Sequence, residues 1–252
     1  MTSESRERFA EVVRSGEVDV ALACLLIGCE VEPDLDLVAP LTCLDALAET
    51  ARPLLGRGPA EALRVTLGDH AGFGGTAADF TDLRASLLHQ VLRRRRGLPI
   101  LLSVVWVEVA KRLDLPAVCL GLPGRVLADV GLGDVVDPFE GGRSVPGAPY
   151  EPVLDPVSLL TRVLTNIRVL AANQGPSLEA SRTQLWATEL SLLLPRHPLA
   201  LRRERGELLV RLGDHLGGAA QLEHYAELVE EIDADGCAAA LLGARLARAR
   251  LN

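Results

Sequence analysis

Aromatic residues are scarce: Phe, Trp and Tyr make up 3% of the 252 residues. The core must therefore be filled by Leu, Val and Ala, and a sequence rich in Leu and Ala favours helices. Lysine is scarcer still. Lys111 stands alone among many arginines, which removes most lysine-based chemistry. A basic excess is also missing. The formal net charge is −8, which argues against a general nucleic-acid binder, because phosphate contacts need a basic face. No apolar run approaches the ~20 residues of a membrane span. Met1–Arg8 carries charges of both signs and precedes no signal-type apolar core. The expectation is a cytoplasmic protein with no membrane or nucleic-acid partner.

Paired cysteines and metal spacings are absent too. The five cysteines, Cys24, Cys29, Cys43, Cys119 and Cys237, are odd in number and show no C-x-x-C spacing. They read as small buried hydrophobes. The sharper alternative is Cys119 as a displaced nucleophile, although no His lies near it in sequence. His197, His215 and His224 share no ligand spacing, so neither a metal nor a cofactor is expected.

What is present is a globular composition, 48% apolar, on a chain long enough for one large or two small domains. The first third reads as helices: one around Arg8–Val13, Val18–Cys29 with Asp19 in its first turn, Leu41–Ala51 ended or interrupted by Pro53, and Ala60–Leu67. Gly56–Pro59 is a loop. Ala71–Thr76 is glycine-rich, but it lacks a G-K-[ST] ending and a preceding strand, so it is no phosphate cradle. Thr81–Arg96 is expected as one helix with Leu83, Leu87, Leu88, Val91 and Leu92 on a stripe. Arg93, Arg94, Arg95 and Arg96 end it, where the dipole favours cations. They are candidates for binding an acidic partner or a phosphate.

The chain is organised around 93–142. A helix opens at Gly97-Leu98-Pro99 and carries Ile100, Leu101, Leu102, Val104, Val105, Val107 and Ala110, apolar nearly all round. Three short strands follow: Ala117–Leu122, Arg125–Val130 and Asp134–Phe139, the last two joined by Gly131-Leu132-Gly133. Arg143–Pro156 is rich in Pro and Gly and reads as a linker. Everything from Val157 reads helical: Val157–Asn173, Leu178–Leu194, Leu199–Leu212, Gly217–Ile232 and Gly236–Leu251.

Gly97-Leu98-Pro99, Pro123-Gly124-Arg125-Val126-Leu127, Asp137-Pro138-Phe139 with Gly141-Gly142, Leu164-Thr165-Asn166-Ile167-Arg168 and Arg203-Glu204-Arg205-Gly206 together resemble the SirB-type branch of the transglutaminase-like superfamily. The resemblance implies an α+β fold, mostly helical. It would have a papain-like core with a small antiparallel sheet and a C-terminal set of tetratricopeptide-like helical hairpins. The implied division is residues 1–142 as the transglutaminase-like domain, 143–156 as linker and 157–252 as the helical domain.

Active members of that superfamily use Cys at the helix start, His on the next strand and Asp on the strand after it. Here Pro99 stands at the helix start and Arg125 in the strand position of the His. Only Asp137 matches. Guanidinium stays protonated and cannot serve as a base near neutral pH. A tight hairpin would bring Arg125 and Asp137 within about two residues of register, so an ion pair is expected between them. Ser103, a hydroxyl on the central helix, and Glu108 complete the remnant-site candidates. Glu108 is a second possible partner for Arg125 and pairs weakly with Lys111.

Three functional expectations follow. The first is a non-catalytic transglutaminase-like protein that binds a protein or peptide, with Arg203 and Arg205 on a helix face as further binding candidates. The second is an acyl- or amide-transfer or hydrolytic enzyme with an altered site. The third is a binder of a small anionic ligand at Arg125 and Arg93–Arg96. The sequence leaves the oligomeric state open.

Overall fold

A computed structural model describes residues 3–131, 133–148 and 152–251. Met1 and Leu132, both named above, lie outside the described residues, as do residues 149–151 of the stretch Arg143–Pro156. The chain divides into two compact units, the first ending at Val163 and the second beginning at Leu164.

The first unit begins with α1 (Ser3–Arg14), α2 (Val20–Gly28), α3 (Val38–Ala51), α4 (Pro59–Leu63) and α5 (Leu88–Arg94). Asp19 caps α2 by accepting the Leu22 N–H at 2.9 Å. The helix expected over Ala60–Leu67 is α4 followed by a π-turn, Arg64–His70. The single helix expected over Thr81–Arg96 is broken. Two 3₁₀ turns, Ala77–Thr81 and Leu83–Ser86, precede α5. The cause is local. Asp79 accepts from Thr76 N–H in a capping box, and Asp82 accepts from Arg84 N–H, so side chains compete with the helical ladder.

Next comes α6 (Pro99–Lys111), and every residue from Ile100 to Ala110 is buried. Leu98 is extended at its N-cap, and Pro99 occupies the first turn, where its missing N–H costs nothing. Four antiparallel strands follow in sheet order: β1 (Val118–Leu122), β2 (Arg125–Asp129), β3 (Val135–Asp137) and β4 (Arg143–Ser144). The β1–β2 hairpin turns through Pro123 and Gly124, whose φ of 72° is cheap only for glycine. β3 stops at Asp137, earlier than the sequence pattern suggests. Pro138 has no N–H for the ladder, and the Asp137 side chain caps a 3₁₀ turn, Pro138–Glu140, by accepting from Phe139 N–H.

The stretch 143–156 is tied to the sheet at two places. Arg143 and Ser144 form β4. Further on, Gly121 N–H donates to Pro152 O at 2.9 Å and Leu154 N–H to Cys119 O at 2.9 Å, covering the free edge of β1.

From Pro156 the chain is helical: α7 (Pro156–Asn173), α8 (Leu178–Leu193), α9 (Ala200–Arg211), α10 (His215–Val229) and α11 (Ala234–Ala249). The expected helix starts at Gly217 and Gly236 move a few residues upstream, because Asp214 and Asp233 are the true N-caps, bonding Gly217 N–H and Gly236 N–H. In the second unit, α9 and α10 meet at glycine. A Cβ on Gly206 would stand 2.8 Å from Leu222 Cγ, and one on Gly218 would stand 2.8 Å from Gly206 O. Leu222, Tyr225, Ala226 and Val229 of α10 pack on Ala240, Ala244 and Ala247 of α11.

Candidate functional site

The three positions that the resemblance matches to the superfamily's triad fall on α6, β2 and β3. Pro99 opens the helix, Arg125 begins β2 and Asp137 ends β3. Ala128 faces Val136 across the strands, so Asp137 falls opposite Leu127, and Arg125 lies two residues further along. The long arginine side chain spans that diagonal, and its Nη2 pairs with Asp137 Oδ2. Asp137 is 4% exposed. Its other oxygen, Oδ1, accepts Phe139 N–H at 3.0 Å, and its backbone carbonyl accepts Gly142 N–H at 2.8 Å. Each carboxylate oxygen therefore has a partner, and the carboxylate is held between a strand end and a turn.

The other two candidates lie elsewhere. Ser103 is fully buried, and its hydroxyl donates to Val126 O at 3.0 Å, tying α6 to β2. That proton has a structural use. Glu108 does not compete for Arg125. It accepts from Arg112 Nη1 at 2.9 Å and Lys111 Nζ at 3.3 Å, near the C-terminal end of α6. Residues one helical turn apart reach it more readily than a strand residue near the helix start, so the sequence alternative that paired it with Arg125 is corrected.

Cys24, Cys29 and Cys119 are buried. Burial pushes the Cys119 thiol up to about 12, with nearby Lys111 opposing the rise and Glu108 adding to it. Burial likewise raises Cys24 and Cys29, and the Cys29 thiol donates to Leu25 O. His89 is the buried histidine. It sits against Gly28 on α2, and its Nε2 is 3.4 Å from Glu32 Oε2. Burial lowers its affinity for a proton, and Arg93 adds to that, against the pull of Glu32.

The four arginines at the end of α5 do not form one cationic patch. Arg93 forks onto Glu32 at 3.0 and 3.1 Å. Arg94 Nη2 pairs with Asp82 at 2.9 Å. Arg95, left-handed at φ 60°, lies 4.7 Å over the Phe73 ring, and Phe73 packs edge-on against Trp106. Arg96 pairs with Asp79 at 3.0 Å. Burial works against the Asp79 carboxylate, but bonds from Thr76 and Arg96 hold it below the usual carboxylate range. Each positive charge has its own partner, which the run in sequence does not reveal. The Thr76-x-x-Asp79 spacing was the readable signal for this cluster, and sequence reasoning missed it. On α9, Arg203 bonds Glu207 at 2.7 Å and Arg205 bonds Glu189 at 3.0 Å. Arg168, the last residue of the Leu164–Arg168 match, pairs with Glu204.

Among the described residues, no group of three or more His, Cys, Asp or Glu is placed to hold a metal ion. No helix among them is long and apolar enough to cross a membrane.

Comparison with known proteins bears on the same region. A UPF0162 protein of Xylella fastidiosa (strain Temecula1) is 33% identical over 181 residues, covering 62% of this chain and 63% of the relative. A UPF0162 protein of Pseudomonas aeruginosa is 35% identical over 161 residues, covering 60% of this chain and 53% of the relative. The chain thus spans less than two thirds of the length of these curated relatives. A shorter match, 33% over 67 residues and 27% of this chain, reaches the mouse F-box only protein 21. No solved structure matches. The family model described as transglutaminase-like superfamily matches residues 40–178, more than half of the chain and all of the α6–β3 site. The chain belongs to the transglutaminase-like superfamily.

Proposed function

We propose that this is a non-catalytic protein of the superfamily's SirB-type branch. In this reading it acts by binding a protein or peptide, and its C-terminal helices serve as a tetratricopeptide-like module. One observation carries the proposal. The strand position that needs a proton-accepting ring holds Arg125, a permanent cation already paired with Asp137. General-base help of ~10²–10⁴-fold has no source there. Pro99 supplies no nucleophile, and Ser103 spends its hydroxyl proton on Val126 O.

The test pairs two measurements on the full chain. Turnover of amide and ester substrates is assayed for the wild type and for Arg125→His, and both are used as baits in a pull-down. The proposal expects no turnover from either protein, and a partner held by the wild type and lost by the variant. Turnover by the wild type would overturn it.

A further inference from the structure

We propose that a cavity at the C-terminal end of α6 is a binding site for a small uncharged aliphatic molecule. The cavity measures about 220 Å³. Its walls are Val104 and Val107 of α6, Val118 and Cys119 of β1, and Leu154 and Leu159 from the covering segment and α7. It lies at the opposite end of α6 from Pro99 and stands apart from the triad position, so the inference does not rest on the function proposed above.

Three features set the ligand class. First, most of the wall is aliphatic side chain, with a thiol that burial keeps protonated, and Glu108, Lys111 and Asp155 are the polar groups that also line the cavity. Second, the charges at the edge are already used. Glu108 is bonded by Arg112 and Lys111, and Asp155 caps α7 by accepting Val157 N–H and Ser158 N–H at 3.1 Å. An anionic head would compete with Glu108 for Lys111, and a cationic head would meet carboxylates that already have donors. Third, the space is held open by backbone. Gly121 and Leu154 carry the hydrogen bonds that fasten the covering segment to β1. Gly121 leaves room for Leu154, whose Cδ2 would lie 2.6 Å from any Cβ there, so Leu154 packs directly on the β1 backbone. An apolar cavity of roughly 150 Å³ stays dry and takes up benzene. This larger one suits a chain of about six to eight carbons or a single ring on the same scale.

The experiment uses hexan-1-ol, hexanoate and hexylammonium as probes, three heads on one tail. Each is titrated into isotopically labelled full-length protein, and amide shifts are followed. Hexan-1-ol should shift residues around Cys119 and Leu154 saturably, with the two charged probes at least tenfold weaker. Val107→Trp fills the interior and Val153→Trp fills the mouth, where Val153 is 41% exposed and the change does not threaten folding. Whichever variant keeps the native spectrum should lose hexan-1-ol binding. Scattered unsaturable shifts, equal affinity for the three probes, or binding that survives Val153→Trp would each overturn the proposal.

Discussion

Arg125 ends on the carboxylate of Asp137 across a diagonal of β2 and β3, and the two form an ion pair with one partner buried and the other at the surface. The acid is 4% exposed, whereas the arginine side chain is 41% exposed. Removing the arginine therefore costs more than the lost attraction alone, because the carboxylate left behind has lost its water.

Removing the guanidinium leaves that carboxylate short of a partner. Arg125→Ala should destabilise the fold by about 1–3 kcal/mol, discounted for the arginine's exposure. Urea denaturation of wild type and variant reads this directly, and an unchanged midpoint would show the pair to be idle.

Ser103→Ala tests the structural role of the hydroxyl. The loss of its bond to Val126 O should cost about 1 kcal/mol. A cost of that size, with partner capture in the pull-down unaltered, is the expected outcome; a selective loss of capture would give Ser103 a functional role.

Thiol reactivity should follow burial. Cys43 and Cys237 are partly exposed and should be alkylated first by iodoacetamide at neutral pH. Cys119, with its thiol pushed up to about 12, should remain unlabelled while the fold is intact. Peptide mapping by mass spectrometry separates the five sites, and early labelling of Cys119 would contradict the burial seen here.

The pH dependence turns on His89. Its proton affinity is lowered by burial from the ordinary value of 6.5, so the unfolded chain binds more protons than the folded one as pH falls. Its contribution is fully present above pH 6.5 and declines as pH drops from there through the lowered folded value. Stability measured between pH 7 and pH 5 should fall, and His89→Leu should flatten that slope. A slope that is the same in both proteins would assign the effect to other groups.

Gly68 should tolerate no side chain. A Cβ there would meet Gly141 O at 2.1 Å, and a backbone carbonyl cannot swing aside as a flexible side chain can. Gly68→Ala should cost about 1–3 kcal/mol and loosen the turn after β3 that holds Asp137. Thermal denaturation together with amide shifts at residues 137–142 would register both effects.

The sequence alone determined the periodic elements and the substitution that matters. Apolar residues on every side of 100–110 require a covered helix, Pro99 marks its start, and Asp19 marks the start of α2. That Arg125 falls at the strand position the resemblance gives to an imidazole is legible from one motif. What only the tertiary structure decided is which charge meets which. Arg93 to Arg96 are adjacent in the chain yet end on Glu32, Asp82, the Phe73 ring and Asp79. The break of the expected 81–96 helix and the left-handed turn at Arg95 send successive side chains in different directions. Glu108 went to Arg112 for the converse reason, since neighbours on one helix are near whatever the rest of the fold does. Periodicity is a local property, readable because burial repeats with the backbone. Ion pairing between distant segments depends on where those segments come to rest.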